Sequence, residues 1–141
     1  MKEVSGIFYK SVVAATFANW IISVVWYSIF GKTWAALTGT PPEWEVELYK
    51  VLMGLFFNFL MALGVAVVLK AAGRHDALEG VKWGLFVALL LMLPAHSGKW
   101  TWQEKPLLLA IDMGGHLLSL LASGIIIGAW SGAHARKNIK P

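Results

Sequence analysis

Apolar residues run along this chain in four long stretches, Ile7–Phe30, Leu48–Leu69, Ala77–Ala95 and Pro106–Trp130, separated by short polar segments. A helix crossing about 30 Å of hydrocarbon takes about 20 residues at a rise of ~1.5 Å each, and every stretch has that length or nearly so. The pattern predicts an all-α fold: one polytopic membrane domain of four transmembrane helices, arranged as two helical hairpins. The first stretch is too long for a signal peptide and no small-residue cleavage pattern follows it before Trp34, so it is expected to stay attached. The connections leave no room for a second domain. "FGKTW" after the first stretch and "SGKWTW" after the third are the one trace of an internal repeat and could mark two similar hairpins.

Composition agrees with that pattern. The chain is 57% hydrophobic and 14% charged, whereas soluble domains carry roughly 25% charged residues. It has no cysteine, which removes disulfides and thiolate zinc sites. The net charge of +4 could suggest a nucleic-acid partner, but the positions of the basic residues argue otherwise. Lys2, Lys10, Lys70, Arg74, Lys82, Arg136, Lys137 and Lys140 fall on one side of the four spans, and only Lys32, Lys50, Lys99 and Lys105 on the other. By the positive-inside rule both termini are expected in the cytoplasm, with the bilayer as the partner and no nucleic acid. Trp26, Tyr27, Trp34, Trp44, Tyr49, Trp100 and Trp102 gather towards the opposite side and read as an aromatic belt. At "TPPEWE", Thr40 and Glu43 have capping-box spacing with Pro41 at the first helical position, which predicts where the second helix starts.

The polar residues inside the apolar stretches carry the candidate chemistry. With the fourth helix starting at Pro106, Asp112 lies roughly 9 Å in and His116 roughly 15 Å in, near mid-membrane. At that depth a polar group facing lipid costs several kcal/mol, so both should face the interior or an aqueous cavity. Asp112, Gly115, His116, Ser119 and Ser123 share one helix face. Candidate partners are Thr16, Asn19, Ser23 and Trp26 on the first helix, Asn58 on the second, and His96 beyond the helix-breaking Pro94. Together they could form one buried polar core, or the lining of a polar path. Gly124, Gly128 and Gly132 form a separate ridge with four-residue spacing, which permits close approach of another helix, either inside the chain or in a neighbouring subunit. Gly84 and Ala88 offer a matching small surface. Four helices alone are expected to enclose little volume, so a pore or solute site would call for a homo-oligomer.

Two segments, "WYSIFGKTWAALTG" and "LLLAIDMGGHLLSLLASGIIIGAW", resemble the signature regions of a small bacterial membrane family, domain of unknown function 1761, whose members read like "WYSPLLFGKAW" and "INAGYHLVSLLVMGAILGAW". The resemblance spans nearly the whole chain and carries the family's histidine onto His116, its late tryptophan onto Trp130 and its early aromatic pair onto Trp26 and Tyr27. It implies a bacterial inner-membrane location and no known activity. Where the family pattern has asparagine, this chain has Asp112. That difference points to hydrogen bonding at the position more than to obligatory proton transfer, and makes His116 the better functional candidate of the two.

Other chemistries find little footing. A metal ion would need three or four ligands; Asp112, His116 and His96 could offer three, but no motif with metal-ligand spacing is present, and nothing fixes two histidines for a haem. No nucleophile elbow, phosphate loop or paired acid couple is visible. The chain is thus expected to be no enzyme and to use no cofactor or catalytic residue. Two readings remain. It is a non-catalytic accessory or assembly subunit of a membrane complex, docked by its glycine ridge, or a small oligomeric transporter or channel with a path around Asp112 and His116. The sequence favours the first.

Overall fold

A computed structural model describes residues 9–40, 48–73, 76–101 and 103–137 of the chain. The described residues are helical apart from short turns. In order they form α1 (Tyr9–Thr38), α2 (Leu48–Ala71), α3 (Ala77–Val87), a π-helical turn over Ala88–Met92, the short helices α4 (Leu93–His96) and α5 (Gly98–Thr101), and α6 (Pro106–Lys137). Four stretches are long and apolar enough to cross a membrane: Tyr9–Thr38, Leu48–Ala71, Ala77–Trp100 and Pro106–Ala133. The chain is a multi-pass membrane protein with an all-α fold.

The first span outruns its predicted end at Phe30. Hydropathy falls at "GKT", but nothing there breaks a helix, so α1 continues through Lys32 and Trp34 to Thr38. It stops at Gly39, whose φ of 73° is left-handed. The amide of Thr40 then closes back onto the carbonyl of Ala35 at 3.1 Å, which completes a Schellman cap. At the next turn, Asp76 caps α3 by accepting the Glu79 amide at 2.9 Å. The capping box expected at Thr40 and Glu43 lies partly outside the described residues, and Lys2, Pro41, Trp44, Arg74, Trp102 and Lys140 lie wholly outside them.

The third span runs past its expected end at Ala95, and Pro94, expected to break the helix, does not interrupt it. The helix widens before it: the amide of Leu93 reaches the carbonyl of Ala88, a five-residue step. Proline has no amide to donate, and its ring collides with the carbonyl four residues back in a regular helix. A π turn placed just upstream changes the register there. The chain therefore stays helical through His96 and resumes at Gly98, carrying Lys99 on towards the start of α6.

Helix α6 is the hub. Within its spanning window 44% of residues are buried, against 22% for α1 and 17% for each of the others. Antiparallel α1 and α3 flank it, and α2 closes the bundle against all three. The remaining faces carry Phe17, Ile21 and Val24 on α1 and Leu52, Phe56 and Leu60 on α2, all exposed, as lipid-facing positions should be.

Glycines set the α3–α6 contact. Gly80 and Gly124 face each other so closely that a Cβ on either would overlap the other's carbonyl. A Cβ on Gly84 would sit 2.6 Å from the carbonyl of Leu120, and one on Gly128 would run into the carbonyl of Asp76. The ridge left open between an internal and an external partner is thus covered from within the chain at Gly124 and Gly128; Gly132, the third member, is buried as well.

Candidate functional site

The polar residues of the spans do not form one core. They separate into three clusters, set at different depths along α6.

The first surrounds Asp112, which is 6% exposed. Its Oδ1 accepts from the Tyr27 hydroxyl and from Nε1 of Trp34, each at 3.0 Å. Its Oδ2 is paired with Nζ of Lys99. Tyr27 and Trp34 stand two turns apart on one face of α1, and Lys99 arrives from α5 because the third span survives Pro94. A buried carboxylate needs both a cation and hydrogen-bond donors to offset the loss of water, and Asp112 has both. Beside it, Nε1 of Trp26 donates to the carbonyl of Ile111 at 2.8 Å. The Trp26 ring fills the groove left by two glycines: a Cβ on Gly114 would lie 2.5 Å from the ring and one on Gly115 3.1 Å. Lys105 donates to the carbonyl of Leu37 near the end of α1.

The second cluster joins α1 to α6 deeper in the bundle. Asn19, Ser119 and Ser123 are all buried. With the amide turned so that both its ends are satisfied, Nδ2 of Asn19 donates to the carbonyl of Ser119 at 2.8 Å and Oδ1 accepts from the Ser123 hydroxyl at 2.9 Å. Thr16 bonds within its own helix, to the carbonyl of Val12.

The third cluster holds the histidines. The rings of His96 and His116 lie 5.0 Å apart between centroids, tilted at 54°. Nδ1 of His96 is 2.9 Å from the carbonyl of Met92. Both rings line a cavity of about 730 Å³ that also meets Ser23, Asn58, Val65 and Leu120. Asn58 turns its amide to its own helix, donating to the carbonyl of Gly54 at 2.8 Å, so the wall is mostly apolar. Val65 and Leu120 are buried, whereas Phe57, Leu60 and Leu91 at the rim are exposed. The cavity therefore opens sideways, between α2 and the π turn, at the depth of the lipid chains. Its presence corrects the expectation that four helices enclose little volume: the widened turn and two cavity-lining glycines of α2, Gly54 and Gly64, make the space.

Asp112 and His116 thus share a helix face one turn apart but have different hydrogen-bonding surroundings. Among the described residues no hydrogen bond joins them, and no group of three potential ligands is placed to hold a metal ion. As a sequence pattern Tyr27 and Trp34 read as an interfacial belt and Lys99 as a topology signal, whereas all three meet at Asp112. The clue to all three was Asp112 itself, since an acid at that depth demands a cation and donors nearby.

The family model described as a protein of unknown function, DUF1761, matches residues 11–128. This chain belongs to the DUF1761 family. No curated protein and no solved structure matches it. The matched segment of this DUF1761 chain takes in all three clusters and the cavity.

Proposed function

We propose that this DUF1761 protein is a non-catalytic component of the bacterial inner membrane, with both termini cytoplasmic, that holds a small and largely apolar molecule taken from the lipid phase. The observation that carries the reading is the cavity of about 730 Å³, within the range of about 300–1,000 Å³ usual for ligand pockets. Its apolar wall, its exposed rim at lipid depth and its two histidines suit a molecule that partitions into the bilayer and carries a single polar group. An assembly subunit docked by a glycine ridge has less support, because Gly124 and Gly128 already meet α3. A polar conduit has less support as well, because the Asp112 and Asn19 clusters are each satisfied by their own hydrogen bonds.

The test is photolabelling of the full chain in lipid nanodiscs with dodecane bearing a diazirine. Val65 and Leu120 are shielded from bulk lipid, so labelling there requires entry into the cavity. Enrichment on Met61, Val65 and Leu120 over the lipid-facing Phe17 and Ile21 is expected. Labelling confined to the lipid-facing positions would overturn the reading.

A further inference from the structure

The two histidines restrict what the cavity can hold. The carbonyl of Met92 can only accept, so the Nδ1 of His96 that lies 2.9 Å from it carries the hydrogen. In the neutral ring Nε2 is then a lone-pair acceptor, with no hydrogen-bond partner among the described residues, on a residue that lines the cavity. A ligand group meeting it must donate. His116 faces the same space one ring away, and among the described residues nothing hydrogen-bonds its nitrogens. It can therefore give a hydrogen bond to whatever His96 receives one from.

We propose, resting on the reading of the cavity as a binding site, that the ligand is a neutral apolar alcohol or phenol whose hydroxyl bridges His96 and His116, donating to the first and accepting from the second. The hydroxyl is the simplest headgroup that does both. A ketone, an ester, an ether or the oxidised form of a quinone has no proton to give His96. An ionised carboxylate has none either, and no lysine or arginine lines the cavity to neutralise it. Asn58 and Ser23 are the other polar side chains on the wall; Asn58 commits one amide hydrogen to the carbonyl of Gly54.

Competition against the photoactivatable dodecane probe tests this in the unaltered protein, with dodecanol, dodecyl methyl ether, dodecanoate and dodecane as competitors. Dodecanol is expected to displace the probe from Val65 and Leu120 about tenfold better than the ether or dodecane, the factor that corresponds to about 1.4 kcal/mol for a buried hydrogen bond. Dodecanoate at pH 8 should be no better than dodecane. In His96→Phe, which keeps a ring and removes both nitrogens, the advantage of the alcohol should fall to about twofold or less, while His96→Gln should retain part of it. Equal displacement by all four competitors, with the probe still on Val65 and Leu120, would overturn the hydroxyl assignment and leave the cavity reading standing. A preference for dodecanoate would also overturn it. Absence of the probe from those residues removes both proposals together.

Discussion

The two halves of α6 solve the same packing problem in opposite ways. From Leu120 to Gly128 it lies backbone to backbone against α3, with Gly80, Gly84, Gly124 and Gly128 in contact and no side chain between. From Ile111 to His116 side chains make the contacts instead: the Trp26 ring of α1 lies on Gly114 and Gly115, Lys99 pairs with Asp112, and His116 lines the cavity. In a bilayer there is no hydrophobic drive to bring helices together, so close van der Waals contact at small residues is what makes the first half adhere. The second half gives up that contact. It replaces it with hydrogen bonds that fix geometry, and it leaves room for a molecule. Helix α6 is thus held by backbone contact at one end and left open at the other, with the π turn of Ala88–Met92 opposite the change.

The strongest way to break this division is to put bulk into the close half. Gly124→Leu places a side chain where Gly80 presents its carbonyl, and no rotamer escapes a clash with backbone. A loss above about 4 kcal/mol, or no folded protein, is expected, read as the yield of monodisperse protein and its melting in detergent. Gly64→Leu, at a cavity-lining glycine of α2 that a Cβ would not crowd, is the matched control. Parent-like behaviour of Gly124→Leu would show that the α3–α6 contact is not what holds the bundle.

Much of this division was legible in the sequence, and what was missed has a physical cause. The four spans follow from hydropathy alone, because a bilayer imposes length and apolarity on any helix that crosses it. The ridge at Gly124 and Gly128 was visible as spacing, though not its partner, since glycine spacing says how near a helix can come and not which one. Span ends were misplaced where apolarity and helicity part: α1 runs on through "GKTWAALT", and the third span passes Pro94 by widening. That second error hid Lys99. Asp112 called for a cation, but with His96 placed beyond a broken helix the register did not single out the lysine three residues further on. The cavity was illegible for a different reason, because it depends on how α2 stands off from the π turn and no residue pattern encodes that distance.

The next largest effect is expected at the ion pair. Lys99→Met leaves the Asp112 carboxylate buried with only neutral donors, and removing one partner of a buried pair costs about 3–5 kcal/mol. Asp112→Asn should be milder. Its amide oxygen still accepts from Tyr27 and Trp34, and Lys99, about a quarter exposed, can turn towards the headgroups. The resemblance to a family with asparagine at this position agrees with that. The double variant Lys99→Met with Asp112→Asn should then be more stable than Lys99→Met alone, as a double-mutant cycle in melting temperature would report. If the second change gives no recovery, Lys99 contributes by something other than charge.

A smaller loss is expected at the middle cluster. Ser123→Ala removes the hydroxyl that Asn19 accepts from while leaving the Asn19 amide its bond to the carbonyl of Ser119. Hydrogen bonds between membrane helices average about 0.6 kcal/mol and reach about 1.7, so the change should lie in that range in a detergent unfolding titration. A loss comparable with that of Gly124→Leu would mean that α1 and α6 depend on polar contact as heavily as α3 and α6 depend on glycine.

The smallest effect on stability should come from Gly64→Leu, and its sign is the informative part. Gly64 lines the cavity from α2 and has nothing within 4 Å of the position its Cβ would take. A leucine there replaces the worst ordinary helix former with one of the best, worth about 1 kcal/mol, and projects into empty space rather than into packed atoms. In an ordinary core, filling a void stabilises by about 0.5–2 kcal/mol. The variant should therefore melt slightly above the parent while losing the photolabelling at Val65 and Leu120, because the added side chain occupies the site. Opposite movement of stability and occupancy is what distinguishes a binding cavity from a packing flaw. A variant that melts higher and still labels those residues would mean that the probe reaches them by another route, and a variant that melts lower would mean that the open half of α6 is filled by packing rather than kept open.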